Sequence, residues 1–326
     1  MILMRFMGLM LLSLFASTFA VASLYDPAKR QDVADFIEEM VRDQGLERDQ
    51  LQKLFSDTQK RQDILDLIAR PAERVLEWHE YRDIFVTTQR INAGKKFMEQ
   101  YADALQRAEQ EYGVSPEIIT SIIGVETFYG RNKGRHRVID ALATLTFDYP
   151  PRAPFFRRQL IEFLNLSNRY GLNPRVPMGS YAGAMGYPQF IPTSYRDFAV
   201  DFDGDGFADI WTNPVDAIGS VASYFKAHGW QFGQPVVMTA QLKNTSELPE
   251  LRINRFNLQS LADLQAAGIV PEKKLPLETK VLPMAFALKD GELHLLGLQN
   301  FYVITRYNHS RMYALAVTEL AEALRN

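Results

Sequence analysis

The chain has no cysteine among its 326 residues. That absence excludes disulfides, thiol catalysis and cysteine-ligated metals, and also the lipid-anchor cysteine of a bacterial lipoprotein. Histidine is scarce, and the five present are scattered without the paired spacing of a zinc site. No Gly-x-Ser-x-Gly elbow and no phosphate-cradling glycine loop occur. Neither charge sign dominates: 36 Lys and Arg against 39 Asp and Glu give a net charge of -3, which argues against nucleic acid as a partner. After Ser23 no apolar run is long enough to span a bilayer.

Residues 1–22 read differently. Arg5 is a short positive start, Phe6 to Phe15 is apolar, and Ala20-Val21-Ala22 is a small-residue cleavage site. This pattern marks a secretory signal peptide, the alternative being an uncleaved anchor. The expectation is a soluble protein of the bacterial periplasm. With 47% hydrophobic residues, the remainder can bury a large core divided among two or three domains.

Amphipathic spacing predicts short packed helices from Asp32 to about Arg70, through Val33, Phe36, Ile37 and Met40, then Leu51, Leu54 and Phe55, then Ile64, Leu67 and Ile68. A helical stretch from Val86 to Tyr112 follows, and Pro150-Pro151 with Pro154 precedes another helix from Phe155 to Tyr170. From Val236 to Leu298 the pattern changes to short strands at Val236–Met238, Lys280–Leu282 and Glu292–Leu296, around a helix from Leu258 to Ala267 capped by Asn257. A helix from Ser310 to Leu324 closes the chain, its apolar face including Tyr313, Leu315 and Leu320. The implied divisions are an N-terminal helical region (23–80), a core (81–235), a small α/β module (236–297) and a C-terminal strand and helix on the core (298–326).

One carboxyl stands out. Ser115 suits an N-cap and Pro116 the first helical position, opening a helix that runs to Glu126. Ile119, Ile122, Ile123 and Glu126 fall three and four residues apart, so the carboxyl shares a stripe with isoleucines. Desolvation there raises its pKa and suits it to donate a proton. A buried pairing with an arginine is the competing reading. Gly130 is the expected C-cap, which places Glu126 in the last turn.

Asp201, Asp203, Asp205, Gly206, Phe207 and Asp209 match positions one, three, five, six, seven and nine of an EF-hand calcium loop. Four aspartates so close together repel one another unless a hard cation neutralises them, and Phe207 can add its carbonyl. The twelfth position is Thr212, so Asp216 is the candidate to fold back and supply the last carboxylate. A solvated acidic turn is the alternative. Met178 to Phe190 interleaves small residues with Tyr181, Tyr187 and Phe190, and serves either as a sugar-stacking groove wall or as a packed internal turn. Arg131, Lys133, Arg135 and Arg137 make a basic segment that grips substrate carboxylates or simply solvates a loop.

Together these segments resemble the B-type lytic murein transglycosylases. The resemblance rests on Gly124-Val125-Glu126-Thr127 with Tyr129-Gly130, Asp140 to Leu145, Ser180 to Gln189, the Asp201 loop, Asp216 to Val221 with Tyr224 to Trp230, and Ile304 to Asn308, in order over nearly the whole chain after residue 22. It implies a predominantly helical α+β fold, with a lysozyme-like core, a helical domain and a small inserted β-containing domain. It implies cleavage of the β-1,4 bond between N-acetylmuramic acid and N-acetylglucosamine, with Glu126 as the single catalytic acid. Tyr81, Arg152, Ser180, Gln189, Tyr224, Tyr307 and Asn308 correspond to the family's glycan-groove positions. Asp201, Asp203, Asp205, Phe207 and Asp216 resemble its structural Ca²⁺ loop, and no organic cofactor is implied. Phe155 departs from the family, where a tyrosine is expected. The implied partners are peptidoglycan glycan strands, with penicillin-binding or other wall-synthesis proteins beside them. A hydrolytic muramidase and a non-catalytic peptidoglycan-binding scaffold remain as alternatives.

Overall fold

The computed structural model describes residues 24–70, 76–243 and 258–326. The signal-peptide reading and the Asn257 cap lie outside the described residues. In chain order the elements are α1 (Gln31–Gln44), α2 (Arg48–Asp57), α3 (Gln62–Ala69), α4 (Trp78–Phe85), α5 (Thr88–Gln100), α6 (Ala102–Tyr112), α7 (Pro116–Thr127), β1 (His136–Arg137), α8 (Val138–Phe147), α9 (Ala153–Arg169), β2 (Met178–Gly179), α10 (Pro192–Phe198), α11 (Pro214–Ala227), β3 (Val237–Leu242), β4 (Gln259–Ser260), α12 (Leu261–Ala266), β5 (Ile269–Pro271), β6 (Lys280–Ala287), β7 (Glu292–Gly297), α13 (Gln299–Tyr307) and α14 (Arg311–Arg325). The fold is α+β and predominantly helical.

Helix α7 lies at the centre, packed by α5, α6, α11 and α14. Its sequence explains the position. From Ile118 to Val125 every residue is buried, so the helix is apolar all round and needs neighbours on every side. The N-terminal helices join the core through α8. The Tyr25 hydroxyl donates to Asp148 at 2.7 Å and Lys60 meets the same carboxylate at 2.8 Å. Arg137 bonds Asp140 through Nε and Nη2 at 2.8 and 2.9 Å, while the Gln59 amide donates to Asp140 at 2.9 Å. Buried Asp140 is thereby fully satisfied.

Strands β3 to β7 form one sheet in the order β4-β6-β7-β3-β5, antiparallel at every pairing. Its two faces bury different clusters. Leu282, Met284, Phe286 and Leu295 face the main core, while Val281 and Leu296 join Leu261, Leu264 and Ile269 in a small separate core. The alternation follows the two-residue period of a strand. Trp78 of α4 meets Phe286 of β6, ring centroids 5.7 Å apart, and seats the sheet against the helices.

Four local expectations change. The helix expected over Val86–Tyr112 breaks at Tyr101 (φ -116°, ψ 28°), whose ring packs on Phe97 at 4.7 Å. The helix expected over Leu258–Ala267 is shortened to α12, because Gln259 and Ser260 pair with Val281 and Lys280. The segment 298–326 contains no strand among its residues; Phe301, Val303 and Ile304 are buried on helix α13, where packing overrides the strand preference of the Val-Ile pair. Helix α7 ends not at Gly130 but at Phe128, itself left-handed with φ 51°.

Candidate active site

Glu126 sits in the last turn of α7, beyond buried Ile119, Ile122 and Ile123. The chain leaves the helix through three successive left-handed residues, Phe128 (φ 51°), Tyr129 (φ 58°) and Gly130 (φ 86°). Left-handed backbone costs a non-glycine residue about 1–2 kcal/mol, so surrounding contacts must impose it. The Phe128 ring lies between the guanidinium groups of Arg90 and Arg131, each 4.9 Å from its centroid. The Thr127 hydroxyl accepts the Gly130 N–H at 3.0 Å and stands 3.1 Å from the carbonyls of Ile123 and Tyr187. Tyr129 folds back over the helix, and a Cβ at Gly124 would fall 2.7 Å from its ring. Gly124 is therefore the notch that admits Tyr129.

Among the described residues the carboxyl of Glu126 accepts one hydrogen bond, from the Tyr313 hydroxyl of α14, at 2.6 Å to Oε1. Burial pushes its pKa from 4.5 up to about 7, and the Tyr313 hydroxyl pulls in the opposite direction by favouring the carboxylate. Among the described residues no cation lies within ion-pair distance of it, which removes the arginine-pair reading. Tyr307 and Tyr313 are held well above the usual phenol range, chiefly by burial and then by the charge of Glu126. Both stay protonated and neutral. Burial also raises Tyr81, followed by the effect of Glu126, and its partly buried ring packs 5.0 Å from Phe85.

The other expected groove residues make contacts of their own. The Tyr307 hydroxyl donates to the Pro188 carbonyl at 2.6 Å and ties α13 to the segment 178–190. Gln189, left-handed with φ 51°, donates from Nε2 to Gly186 at 2.9 Å and Lys133 at 3.3 Å. Ser180 Oγ accepts the amides of Ala182 and Ala184 at 3.3 and 3.0 Å. Tyr224 is buried behind Tyr307, ring centroids 4.8 Å apart, and its hydroxyl donates to the Arg306 carbonyl at 2.7 Å. Exposed Asn308 accepts the Ser310 amide at 3.2 Å, and the Arg152 guanidinium stacks on Phe155 at 4.4 Å. Thus Tyr313 bonds Glu126, and the charge of Glu126 reaches Tyr81 and Tyr307, whereas Arg152, Ser180, Tyr224 and Asn308 make their bonds elsewhere.

The segment 178–190 resolves as a packed turn. Gly179 and Met185 pair, as do Met185 and Phe190, while Tyr181 stays 41% exposed.

In the acidic loop, Asp201, Asp203 and Asp205 each bring a carboxylate oxygen within 4.8 Å of the others. Asp201 also accepts the amides of Gly204, Asp205 and Gly206 at 2.7, 3.1 and 2.8 Å. Asp209 and Asp216 do not join that group. Asp209 accepts the amides of Trp211 and Thr212, each at 2.9 Å, and the Phe207 carbonyl accepts the Asp209 amide at 2.9 Å. Asp216 does fold back, fully buried, but onto the amides of Phe202, Asp203 and Asp209 at 2.7, 3.3 and 2.7 Å. Its burial raises its pKa against those bonds.

Tyr313 is the site residue that sequence reading left as mere packing. A phenol on the buried stripe of α14 needs a partner for its hydroxyl, and that signal was available. Its partner, 187 residues away in sequence, was not.

An enclosed, unpaired carboxyl among neutral tyrosines defines a site for general-acid cleavage of a glycan. The family model described as "Transglycosylase SLT domain" matches residues 28–322. Membrane-bound lytic murein transglycosylase B of Escherichia coli (strain K12) is 42% identical over 308 residues, covering 92% of this chain and 84% of that protein. Among solved structures, the catenated lytic transglycosylase SltB1 of Pseudomonas aeruginosa is 53% identical with TM-score 0.88, covering 91% of this chain and 97% of that one. The Escherichia coli lytic transglycosylase Slt35 in complex with calcium is 43% identical with TM-score 0.85, covering 93% and 96%. SltB3 of Pseudomonas aeruginosa in complex with NAG-NAM-pentapeptide is 30% identical with TM-score 0.81, covering 91% and 79%. The chain belongs to the transglycosylase SLT family and is a lytic murein transglycosylase with a lysozyme-like fold. Among the described residues no helix is long and apolar enough to cross a membrane.

Proposed function

We propose that Glu126 cleaves the bond between N-acetylmuramic acid and N-acetylglucosamine by acting first as acid and then as base. The observation that carries this is a part-buried, desolvated carboxyl with its pKa lifted to about 7, bonded among the described residues only to a neutral phenol. Protonated Glu126 gives its proton to the glycosidic oxygen as the C1–O bond breaks, and the muramyl N-acetyl group stabilises the positive charge at C1. The carboxylate then takes the C6 hydroxyl proton while that oxygen attacks C1, closing a 1,6-anhydro ring. No water is consumed, and Glu126 returns protonated. A hydrolytic muramidase usually employs a second carboxylate, and none perturbs Glu126. Tyr313 holds Oε1 and leaves the other oxygen to carry the proton.

The groove around this acid is assigned to Tyr81, Arg152, Ser180, Gln189, Tyr307 and Asn308, with Tyr224 supporting Tyr307 from behind. The core at 81–235 carries the chemistry, with 23–80, 236–297 and 298–326 bracing it. Asp201, Asp203 and Asp205 suit a hard cation, since their donors are all oxygen and their amide bonds pre-shape the turn. Ca²⁺ there supplies charge neutralisation that fixes the loop before α11, and Asp209 and Asp216 support the loop through its backbone. The substrate is murein in the periplasm, where penicillin-binding and other wall-synthesis proteins are the natural partners.

Replacing Glu126 by Gln keeps the shape and removes the proton. Turnover of isolated sacculi should fall by at least about a hundredfold. Unchanged turnover would remove Glu126 from the mechanism.

A further inference from the structure

The loop after Glu126 lies flat against the segment 178–190 because two of its glycines leave no gap. A Cβ at Gly130 would fall 2.1 Å from the Tyr187 ring, and one at Gly134 would fall 1.9 Å from the Gly179 carbonyl. Between them, Lys133 sets its ammonium 4.3 Å from the Tyr187 centroid and donates to the Trp211 carbonyl at 2.7 Å, while its own carbonyl accepts from Gln189. Loop and wall thus make one continuous surface that begins at the end of the Glu126 helix.

That surface displays two exposed cations, Arg131 and Arg135. Neighbouring Arg137 and Arg175 are ion-paired to Asp57, and Arg157 to Glu39. No carboxylate among the described residues pairs with Arg131 or Arg135. Arg131 is also held in place, its guanidinium stacked on Phe128, so its N–H fork is oriented and uncommitted. Holding a guanidinium on an aromatic face lowers the entropy lost when it grips a carboxylate in bidentate fashion.

We infer that Arg131 and Arg135 form a cationic rim that binds the carboxylates of the peptide attached to the muramyl residue under attack. This rests on the proposed reaction: the peptide hangs from the C3 oxygen of the same muramyl ring whose C1 Glu126 serves, and the loop bearing Arg131 and Arg135 follows directly on the Glu126 helix. The rim makes a peptide-bearing strand a better ligand than bare glycan, and the preference is electrostatic.

The test uses the full chain carrying Glu126→Gln, so that ligands are bound and not consumed. Calorimetry compares soluble NAG-NAM-pentapeptide with NAG-NAM lacking the peptide. At low salt the peptide form should bind about fivefold tighter, with the advantage shrinking as salt rises. Adding Arg131→Gln and Arg135→Gln should abolish the advantage, whereas Arg131→Lys with Arg135→Lys should keep part of it. No advantage in the parent, or an undiminished advantage in the double Gln variant, would overturn the rim. Failure of the reaction itself is read separately, from reducing ends in digests of the unaltered chain, and leaves the binding difference untouched.

Discussion

The Tyr313 hydroxyl donates to Oε1 of Glu126 at 2.6 Å, joining the first turn of α14 to the last turn of α7. Two effects meet in that bond. Burial raises the carboxyl pKa and the phenol lowers it, leaving the group near 7, poised between donor and acceptor.

Tyr313→Phe removes the opposing effect, so the pKa of Glu126 should rise further. The alkaline limb of the pH profile of kcat/KM, which tracks loss of the proton from Glu126, should move to higher pH. Turnover at the optimum should drop roughly tenfold as the carboxyl loses its fixed orientation. A limb that stays in place would show that the phenol does not act on the acid.

The same shift makes stability depend on pH. The folded-state pKa of Glu126 is raised above its unfolded value, so its contribution is fully present below about 4.5 and is lost as pH rises through about 7. At higher pH the charged carboxylate costs at most about 3 kcal/mol. Glu126→Gln, which mimics the neutral acid, should therefore melt above the parent at pH 8 and converge with it below about pH 4.5. Parallel melting curves across that range would contradict the raised pKa.

The acidic loop separates two kinds of aspartate. Asp203→Asn should abolish the rise in Tm of several degrees that Ca²⁺ gives the parent, with little effect in a chelator. Asp216→Ala strips three amides of their acceptor, that of Phe202 buried, and should cost about 2 kcal/mol or more with or without Ca²⁺. Equal behaviour of the two variants in chelator would contradict the division.

Gly130 and Gly45 both have positive φ, yet only Gly130 faces a wall. Gly45→Ala should cost about 1 kcal/mol from backbone strain alone. Gly130→Ala should cost more and also lower activity, since the new methyl must displace Tyr187 and with it the surface beside Glu126. Denaturant unfolding and turnover of both variants measure the difference.

Much of this was legible in sequence because it is local. Ser115-Pro116 marked the start of α7 even though the Ser115 hydroxyl makes no capping bond, and the alternating aspartates drew the turn that Gly204 and Gly206 complete. What escaped depends on distant partners. Gly130 looked like the helix stop, but the Arg90 and Arg131 groups flanking Phe128 move the left-handed turn two residues earlier. Nothing near Tyr101 breaks a helix by propensity; its packing on Phe97 accompanies the bend. The strand expected over Lys280–Leu282 runs on to Ala287 through Pro283, which lies beyond the two residues that β4 pairs. Asp216 showed its importance by type and spacing, while its three amide partners appear only once the loop closes.

The most direct measurement is mass spectrometry of murein fragments released in heavy-oxygen water. If Glu126 passes the C6 proton and water stays out, muramyl ends will be 1,6-anhydro and carry no heavy oxygen. Reducing ends labelled at C1 would show that water, and not the sugar's own hydroxyl, attacks, and the acid-then-base account would fail.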